Sequence, residues 1–531
     1  MRLLRFIIFF LGAGLGATPL VVGVYNAASW LPPNLPNSGV AKGSMFTVTG
    51  TGLGPATIQH ANSYPLPTTD GLGGTTIKVE VGGVIENCIM IYSVSTQVAA
   101  ILPSTTPVGT GTLTLTYQGE NSSFSIKVVA ANFGTFALNE DGTGPGVITN
   151  GSNAPITYTN PAHAGDELVL WGSGLGPITT GDDVAPPQVD LGTGVQVLVG
   201  NKPATVVYGG RGSSAGIDQV NFVVPAGVTG CKTSVVVILK GVTGNVTSMA
   251  VAPAGQPTCG DTYNALTAAN LQKAVASGTL NIAGVLLSHV PDQGDVLTAA
   301  FTSFPVDSLD RSAGGTFDPS IGNCLAYEVE GTSLSTALSD PVKPTFLATG
   351  PLMLTGPNGG KTIDAISPGT YAQTLAASSP FYLAPGNYTV ANGTGGANVA
   401  GFTWDLTLPA SVVPNIPASI DPSQDLTLTW TGGSAFGVVN IYAYNGVRAT
   451  GAEISFVDII CSAEGSAGTF TIPSALLSLL PADGFGTPTS PGVYIQVGGV
   501  AVSHYTVAGS PGLDEGFFTA YIGTGQVARI Q

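Results

Sequence analysis

The sequence predicts an all-β protein in which two β-sandwiches stand in tandem, followed by a further β-sandwich region with one short helix. Glycine accounts for 74 of the 531 residues and proline for 38, and both residue types interrupt helices and form turns between short strands. Hydrophobic residues make up 44% of the chain and charged residues 9%, which excludes intrinsic disorder. Apolar and polar residues alternate over short runs that end at Gly, Asn or Pro, as in sandwich strands.

The net charge and the cysteines restrict the class of function. The net charge of −16 argues against nucleic-acid binding, because that function places Lys and Arg on phosphates. The chain has five cysteines and four histidines and no Cys-x-x-Cys pair, so we predict neither a metal site nor a cofactor. In an exported protein the cysteines are expected to form disulfides.

The N-terminus has the pattern of a secretory signal. Arg2 and Arg5 flank an apolar run that ends in the small residues Gly16 and Ala17, which predicts a signal peptide over residues 1–17 with cleavage near Ala17. The alternative is an uncleaved anchor, because residues 6–24 form an uncharged stretch of 19 residues and a span needs about 20. We expect a secreted or cell-surface protein that has no membrane span after signal removal.

An internal repeat divides the first half of the chain. Residues 46–55, FTVTGTGLGP, match residues 168–177, LVLWGSGLGP, at an offset of 122, and Gln97-Val98 matches Gln219-Val220 at the same offset. Two copies of one module are therefore predicted over residues 46–130 and 168–252. Glycine is expected in the turn after the matched strand, where the backbone needs a positive φ or a close approach; these positions are Gly52, Gly54, Gly174 and Gly176.

The repeated motifs carry a resemblance to a known family. The G-[ST]-G-L-G-P turn, the Val-Gly-Gly or Val-Gly-Asn hairpin and the run Gln219–Pro225 resemble IPT/TIG-type immunoglobulin-like domains. With the motif Asn26–Trp30, they are similar to uncharacterised secreted acidobacterial (Solibacter-type) proteins. The resemblance implies immunoglobulin-like sandwiches over residues 24–135 and 146–260. That family has no established activity, so the resemblance strengthens the fold and implies no function.

The C-terminal half is predicted to begin with a helix and to continue as strands. Leu266, Leu271 and Val275 share one face of a helix over residues 266–275. Strands are expected over residues 281–289, 297–304, 352–355, 388–390, 402–408, 426–430, 438–444, 469–472 and 493–497. Four prolines within residues 409–422 indicate a linker, and hence a β-rich subdomain over 261–408 and a β-sandwich subdomain over 409–531.

The cysteines are predicted to pair within these units. Cys231 precedes the last strands of the second module and Cys259 follows them, so we expect these two to form a disulfide. Cys324 and Cys461 flank the proline-rich segment and are expected to staple the two C-terminal subdomains together. Cys88 alternates with Met90 and is predicted to be a buried free thiol.

Several short motifs are compatible with chemistry, but each has a simpler interpretation. Residues 212–216 fit G-x-S-x-G but precede a strand and not a helix, so they are interpreted as a hairpin loop. Residues 356–362 resemble a phosphate loop with Thr355 in place of the first glycine, and are interpreted as a β-turn. The acidic loops 139–144 and 181–183 lack calcium-loop spacing and are interpreted as Asx turns.

No catalytic residue is nominated. A glycosidase needs two carboxylates that face each other across a cleft, and Asp405 and Glu453 are only possible candidates. The ligand-binding candidate is Trp171, which lies on the strand face opposite the inward pair Leu168 and Leu170 and could stack on a sugar ring. Its alternative role is packing against a loop or a neighbouring domain.

The predicted function is therefore binding without catalysis. We expect a secreted or cell-surface adhesion or binding protein, with an extracellular glycan or an envelope protein as its possible partner. One alternative is a structural or spacer subunit of the cell envelope, and another is a secreted hydrolase with its site in residues 261–531. The sequence does not indicate the oligomeric state.

Overall fold

The strands of the first module form two facing sheets. The structure, a computed structural model, describes residues 18–186, 188–261, 263–264, 266–290, 294–311, 318–331, 344–448, 454–487, 490–506 and 512–531, so the predicted signal peptide lies outside the described residues. The sheet orders are β1-β3-β8-β7-β4 and β2-β10-β9-β5-β6, where the strands are β1 Leu20–Asn26, β2 Val40–Ala41, β3 Met45–Thr51, β4 Gln59–His60, β5 Thr75–Val81, β6 Val84–Asn87, β7 Ile89–Val94, β8 Gln97–Ile101, β9 Gly109–Tyr117 and β10 Glu120–Val129.

The second module has the same core strands. Its strands are β11 Gly134–Thr135, β12 Ile148–Thr149, β13 Glu167–Ser173, β14 Val195–Val199, β15 Lys202–Arg211, β16 Asp218–Val223, β17 Gly230–Leu239, β18 Val242–Thr243 and β19 Thr247–Val251. They are hydrogen-bonded in the order β11-β13-β16-β15-β14-β17-β18. The long strand β15 pairs with β14 at one end and with β16 at the other, and so joins the two layers of this sandwich.

The strand register repeats between the modules. Phe46 lies opposite Ala100 in the first module, and Leu168 lies opposite Phe222 in the second. Both registers are shifted by the same 122 residues, so the repeat seen in the sequence is a repeat of strand pairing. The turn glycines have the expected roles: Gly174 has a φ of 116°, and a methyl group on Gly54 would lie 2.2 Å from Ser93 Oγ.

The C-terminal half is organised around one large sheet. Its main strand order is β22-β33-β32-β37-β38-β20-β21-β23, and β26 also pairs with β21. These strands are β20 Thr279–Val290, β21 Gly294–Pro305, β22 Cys324–Gly331, β23 Thr345–Phe346, β26 Thr370–Ala376, β32 Val438–Arg448, β33 Ile454–Glu464, β37 Val493–Thr506 and β38 Glu515–Ile530.

Two smaller sheets pack on one side of this large sheet. They have the orders β25-β24-β27-β28 and β29-β31-β34, where the strands are β24 Leu352–Gly356, β25 Gly359–Ile363, β27 Gly386–Ala391, β28 Thr403–Leu408, β29 Val413–Asn415, β31 Leu426–Thr431 and β34 Thr469–Ile472. The short strands β30 Ser419–Ile420, β35 Phe485–Thr487 and β36 Ser490–Pro491 attach at the sheet margins. Trp404 and Trp430 are buried in the shared core, because each points inward with the alternate apolar residues of its strand.

Helices are few and short in the described residues. They are α1 Ala268–Ser277, α2 Ser474–Leu477 and 3₁₀ turns at Val306–Arg311, Gly433–Ala435 and Gly465–Ala467. Thr267 caps α1 by accepting a hydrogen bond from the Asn270 N–H, and Gly278 ends the helix with a φ of 80°. The prediction that Val275 lies on the buried face of this helix was wrong, because Leu271 and Ala274 are buried whereas Val275 is exposed. None of the described helices is both long and apolar enough to cross a membrane.

The predicted division of the C-terminal half between residues 408 and 409 does not coincide with a division between sheets. The large sheet takes β20 to β22 from one side of that position and β32, β33, β37 and β38 from the other. The proline-rich segment 409–422 contains β29 and β30. The segment is therefore an edge of the packed unit and not a linker, and Pro414 stands in the edge strand β29, where a missing N–H donor is tolerated.

The core of the second module also crosses a predicted boundary. One hydrophobic cluster includes Val220 and Phe222 of the sandwich together with Leu271 of α1 and Phe304 of β21. Helix α1 therefore fills the junction between the second sandwich and the large sheet. This contact could not be predicted from periodicity, which shows that a face is apolar but not what covers it.

The two disulfides have the pairing that the sequence predicted. Cys231 is bonded to Cys259, and Cys324 is bonded to Cys461. The second bridge joins neighbouring strands, because Cys324 of β22 lies directly opposite Cys461 of β33 in the same sheet. It therefore fastens one sheet and does not staple two subdomains. Cys88 is a buried free thiol, and burial raises its pKa.

Candidate functional site

The two faces of the large sheet differ in character. Along β32, Val439, Ile441 and Ala443 point into the hydrophobic core beneath the smaller sheets. The alternate residues of the same strand, Asn440 and Tyr442, point to the opposite face, because successive side chains of a strand alternate between faces. The sheet therefore has one apolar, covered face and one face that carries polar and aromatic side chains.

Glycines on this second face allow aromatic rings to lie against the sheet. A methyl group on Gly498 would lie 2.5 Å from the ring of Tyr521, and one on Gly523 would lie 2.7 Å from the Tyr521 hydroxyl oxygen. Gly284 accommodates the Phe517 ring in the same way, with 2.7 Å from the added methyl group to the ring. Any larger residue at these positions would displace the rings.

A large cleft runs over this face, and we name it the open-face cleft. Its volume is about 1030 Å³, which is at the upper limit of the range of small-molecule sites. Its described lining combines aliphatic, aromatic, hydroxyl and amide side chains. They are Tyr263, Asn264, Ile282, Gly284, Leu286, Ser288, His289, Thr298, Ala299, Ala300, Thr302, Phe304, Asp318, Pro344, Phe346, Thr370, Tyr371, Ala372, Asn440, Tyr442, Ile460, Gln496, Val500, Phe517, Thr519 and Tyr521.

A hydrogen-bonded polar cluster stands at one end of the cleft. Asp318 Oδ2 accepts from the Tyr263 hydroxyl at 3.0 Å and from Asn440 Nδ2 at 2.9 Å. The Asp318 backbone N–H donates to Asn264 Oδ1 at 2.9 Å, and Asn264 Nδ2 donates to the Asp318 carbonyl at 2.9 Å. Ser462 Oγ donates to Asn440 Oδ1 at 3.0 Å. These bonds fix the orientation of the carboxylate and of both amides.

The phenols of the cleft are held in their neutral form. Burial raises the pKa of Tyr263 well above its usual range, and the neighbouring Asp318 carboxylate raises it further. Burial also raises the pKa of Tyr442 and of Tyr521. The rings of Tyr442 and Tyr521 meet edge to face, with centroids 5.6 Å apart. Three protonated hydroxyls and a fixed carboxylate therefore offer the cleft both donors and acceptors.

A histidine and an aspartate lie at the margin of the cleft. His289 Nδ1 is 2.8 Å from Asp295 Oδ1, and Asp295 Oδ2 accepts from the Leu383 N–H at 2.6 Å. Asp295 is buried and His289 is partly exposed. Phe381 contacts the imidazole edge to face, with ring centroids 4.6 Å apart. These contacts fix the orientation of the imidazole ring.

The nominated residue Trp171 does not belong to this site. It is half-buried in the second module, far along the chain from the cleft-lining strands, and its indole N–H donates to Thr149 Oγ1 at 3.1 Å. Leu168 and Leu170 are buried as expected. The indole packs beside Gly212, where an added methyl group would lie 3.3 Å from the ring. Trp171 is thus engaged with β12 and with the 212–216 loop.

The other motifs have structural roles in the described residues. Residues 212–216 form the loop between β15 and β16, and Gly356 pairs with Gly359 in a tight hairpin. Asp141 Oδ1 accepts from the Thr143 N–H at 2.9 Å, which is an Asx turn. Asp182 accepts from the Ser104 N–H at 2.7 Å. Within the described ranges, no group of three or more His, Cys, Asp or Glu side chains is placed to hold a metal ion.

Of the two carboxylates considered for glycoside hydrolysis, only Asp405 lies in the described residues. Asp405 is exposed on β28 and accepts from Thr389 Oγ1 at 2.6 Å. Glu453 lies outside the described residues. Among the described residues that line the cleft, Asp318 supplies the carboxylate.

Sequence reasoning did not find the cleft, although part of its signal is visible. The run Val438–Tyr444 places Asn440, Tyr442 and Tyr444 on one parity and Val439, Ile441 and Ala443 on the other. A strand with an aromatic and polar face opposite an aliphatic face marks a surface that can bind a ligand. The partners Asp318 and Tyr521 come from distant parts of the chain, so their convergence depends on the sheet order.

Comparison with known proteins gives structural neighbours only. No protein-family model matches the chain, and no curated protein matches it. A plexin A4 extracellular region is 14% identical, with 44% of this chain and 18% of that chain covered and a TM-score of 0.16. A protein of unknown function from Bacteroides thetaiotaomicron is 10% identical, with 55% of this chain and 59% of that chain covered and a TM-score of 0.16. The chain thus spans less than two thirds of either neighbour.

A third neighbour is covered over most of its length. The SGBP-B protein of the Bacteroides ovatus mixed-linkage glucan utilization locus, in complex with a mixed-linkage heptasaccharide, is 12% identical, with 83% of this chain and 87% of that chain covered and a TM-score of 0.15. TM-scores this low carry no conclusion about function. Any inference about the function of this chain therefore rests on the residues that line the cleft.

Proposed function

We propose that this chain is a secreted or cell-surface binding protein without catalytic activity, and that it binds carbohydrate in the open-face cleft. The observation that carries the proposal is the combination in one cleft of Tyr442 and Tyr521 with the oriented polar cluster of Asp318, Asn440 and Tyr263. Aromatic rings contact the apolar faces of a sugar ring, while fixed amides, hydroxyls and carboxylates bond its hydroxyl groups.

The location of the protein rests on separate features. The signal pattern of residues 1–17 and the two disulfides are typical of exported proteins. A protein that binds polysaccharide outside the cell is in an oxidising environment, where disulfides persist. The two disulfides contribute to the stability of the fold there.

The fixed junction between the first two sandwiches supports a second role, as a rigid spacer. Asn26 Nδ2 of the first module donates to the carbonyls of Asn132 and Ser173 at 3.1 and 3.2 Å. The Met45 N–H donates to Ser173 Oγ at 2.9 Å, and Ser104 Oγ donates to Asp182 at 2.9 Å. Such a junction would hold the ligand cleft at a set distance from the N-terminal end of the described chain.

A pull-down of the full chain on insoluble and immobilised polysaccharides tests the carbohydrate proposal. We expect retention on at least one polysaccharide, loss of retention in Tyr442→Ala, and unchanged retention in the control Tyr494→Ala. Tyr494 lies on the same face of the large sheet but does not line the cleft. Melting temperatures of both variants identify a loss caused by unfolding.

Two results would contradict the proposal. One is failure of the unmodified chain to bind any polysaccharide in a broad panel. The other is equal loss of retention in Tyr442→Ala and Tyr494→Ala while both variants keep their melting temperature, because binding would then lie outside the cleft. The spacer role is tested separately by small-angle scattering of the full chain, which should fit one rigid arrangement of the two sandwiches and not an ensemble of orientations.

A further inference from the structure

The direction of the open-face cleft limits the shape of its ligand. Its lining residues come in order from β33, β32, β37, β38, β20, β21 and β26, so the cleft crosses the strands and does not follow one of them. Neighbouring strands lie about 4.8 Å apart, and the cleft therefore extends for roughly 29 Å across these seven strands. A groove of this length suits a chain-shaped ligand.

The charge of the lining limits the chemistry of that chain. Asp318 is the carboxylate of the lining, and the described lining residues include neither Lys nor Arg. Asp318 Oδ2 already accepts two hydrogen bonds. An anionic chain would meet a like charge in a protein whose net charge is −16, with no Lys or Arg in the described lining to offset it. An uncharged chain has no such cost.

Two buried hydroxyls that no described residue bonds lie on different strands of the cleft. Tyr521 is only 9% exposed, and within the part of the chain that the structure describes neither its hydroxyl nor Thr370 Oγ1 has a hydrogen-bond partner. Both residues line the cleft. A buried hydroxyl without a hydrogen bond destabilises the fold, and a ligand oxygen that reaches it after a small side-chain rotation offsets this cost.

The separation of these hydroxyls sets a minimum length for the ligand. Tyr521 is on β38 and Thr370 is on β26, with β20 and β21 between them. Three strand spacings amount to roughly 14 Å. A single sugar ring cannot bond both hydroxyls, whereas a chain of several sugar units can.

We infer that the open-face cleft binds an uncharged polysaccharide along an internal stretch of several sugar units, with Tyr521 and Thr370 as bonding positions on separate strands. This inference rests on the proposed function, since it presupposes that the cleft binds carbohydrate. It adds the charge class, the minimum length and two residues that determine affinity.

Calorimetric titration of the full chain against oligosaccharides tests the inference. The neutral probes are cello-, xylo- and manno-oligosaccharides of one to six units, and the anionic probe is oligogalacturonate of matched length. We expect affinity for one neutral series to rise at least tenfold between one and four units, and oligogalacturonate to bind at least tenfold more weakly than that series. Tyr521→Phe removes the hydroxyl and Thr370→Val replaces it with a methyl group of similar size, and each should weaken binding of the longest neutral chain about tenfold. The control Thr374→Val changes an exposed residue of the same strand outside the cleft and should have no effect.

The outcomes separate this inference from the proposed function. If single sugars reach full affinity, if oligogalacturonate binds as tightly as the neutral chains, or if both hydroxyl variants bind like the unmodified chain, the inference is overturned while carbohydrate binding stands. If none of the probes binds and the polysaccharide pull-down is also negative, the proposed function fails and the inference fails with it.

Discussion

Arg211 and Asp218 form a buried ion pair that fastens the glycine-rich turn of the second module. Arg211 Nη1 lies 2.7 Å from Asp218 Oδ1, and the two side chains are 1% and 0% exposed. Asp218 Oδ2 accepts from the N–H groups of Gly174 and Leu175 at 2.7 and 2.8 Å. Arg211 Nη2 donates to the Gly176 carbonyl at 2.9 Å. Both partners thus hold the same turn.

The first module holds its equivalent turn differently. There the Leu53 N–H donates to the Ser95 carbonyl at 2.9 Å, and Thr75 Oγ1 donates to the Leu53 carbonyl at 3.0 Å. The position that matches Asp218 is Thr96. The repeated turn is therefore held by backbone and hydroxyl groups in one copy and by an ion pair in the other.

Asp218→Asn should destabilise the second module strongly. The substitution keeps the shape of the side chain but leaves the Arg211 charge buried without its counter-charge, which costs about 3–5 kcal/mol. Thermal unfolding of the full chain should show a lower melting temperature. Asp166→Asn is the control, because Asp166 is half-exposed beside His163 at 3.8 Å, and it should change the melting temperature little. Equal effects of the two substitutions would contradict the structural role of the buried pair.

Glu328 should make stability fall as the pH rises from about 4.5 to about 8. Its carboxyl group is 5% exposed, and burial raises its pKa to about 8 from a usual value of 4.5, against a smaller opposing effect of a hydrogen bond with the Asn37 side chain. The folded state thus binds the proton more tightly than the unfolded state. The stabilisation is complete below about pH 4.5 and is lost as the pH rises through about 8.

The size of this loss can be measured with one variant. The pKa difference corresponds to at most about 5 kcal/mol above pH 8. Melting temperatures recorded from pH 5 to pH 9 should fall, and Glu328→Gln should flatten the part of the curve between about pH 5 and about pH 8. Glu120→Gln, at an exposed hairpin position, serves as the control and should leave the curve unchanged. A parallel decline in all three proteins would show that Glu328 is not responsible. Asp458, whose burial raises its pKa to about 7, contributes to the decline at lower pH.

Trp171→Ala should weaken the fold and leave carbohydrate retention intact. The indole is half-buried and bonded to Thr149 Oγ1, so its removal should cost roughly 2 kcal/mol, less than a fully buried aromatic residue. The melting temperature and the polysaccharide pull-down measure the two effects separately. Loss of retention with an unchanged melting temperature would instead assign ligand binding to Trp171.

The two disulfides should contribute unequally to stability. The sequence separation is 28 residues for Cys231–Cys259 and 137 residues for Cys324–Cys461, and the chain-entropy model gives about 3.5 and about 5 kcal/mol, respectively. The double variant Cys324→Ala/Cys461→Ala should therefore have the lower melting temperature of the two double variants. The reverse order would show that local strand packing outweighs loop closure. Peptide mapping without reduction should find both bridges and leave Cys88 unpaired.

The all-β class, the repeat and the core strands could be predicted from the sequence because they depend on local pattern. Alternation places Phe46, Leu168 and Leu170 inward, and the constant offset of the motifs predicted the matching strand register. Trp404 and Trp430 were assigned to the core for the same reason, since their parity on the strand is that of their apolar neighbours.

The strand predictions failed where apolar and polar residues do not alternate clearly and where prolines suggested a linker. Strand β38, Glu515–Ile530, was not predicted, because its glycines and threonines weaken the alternation on which strand prediction relies. The prolines of residues 409–422 suggested a linker, yet two short strands lie there. The limits of the large sheet were therefore missed.

The sequence by itself determined the all-β class and the residues that have to be buried, since both follow from the spacing of apolar residues along short segments, and it determined the tandem modules through motifs repeated at a constant offset. Only the tertiary structure decided that Asp318, Asn440 and Tyr521 share one cleft. Strand β20 pairs in parallel with β38 across more than 200 residues of chain, and such long-range pairing is chosen by packing of the whole core and not by any local pattern. The fold class thus depends largely on the local alternation of apolar and polar residues, whereas the candidate site forms only because strands that are distant in sequence pair in one sheet.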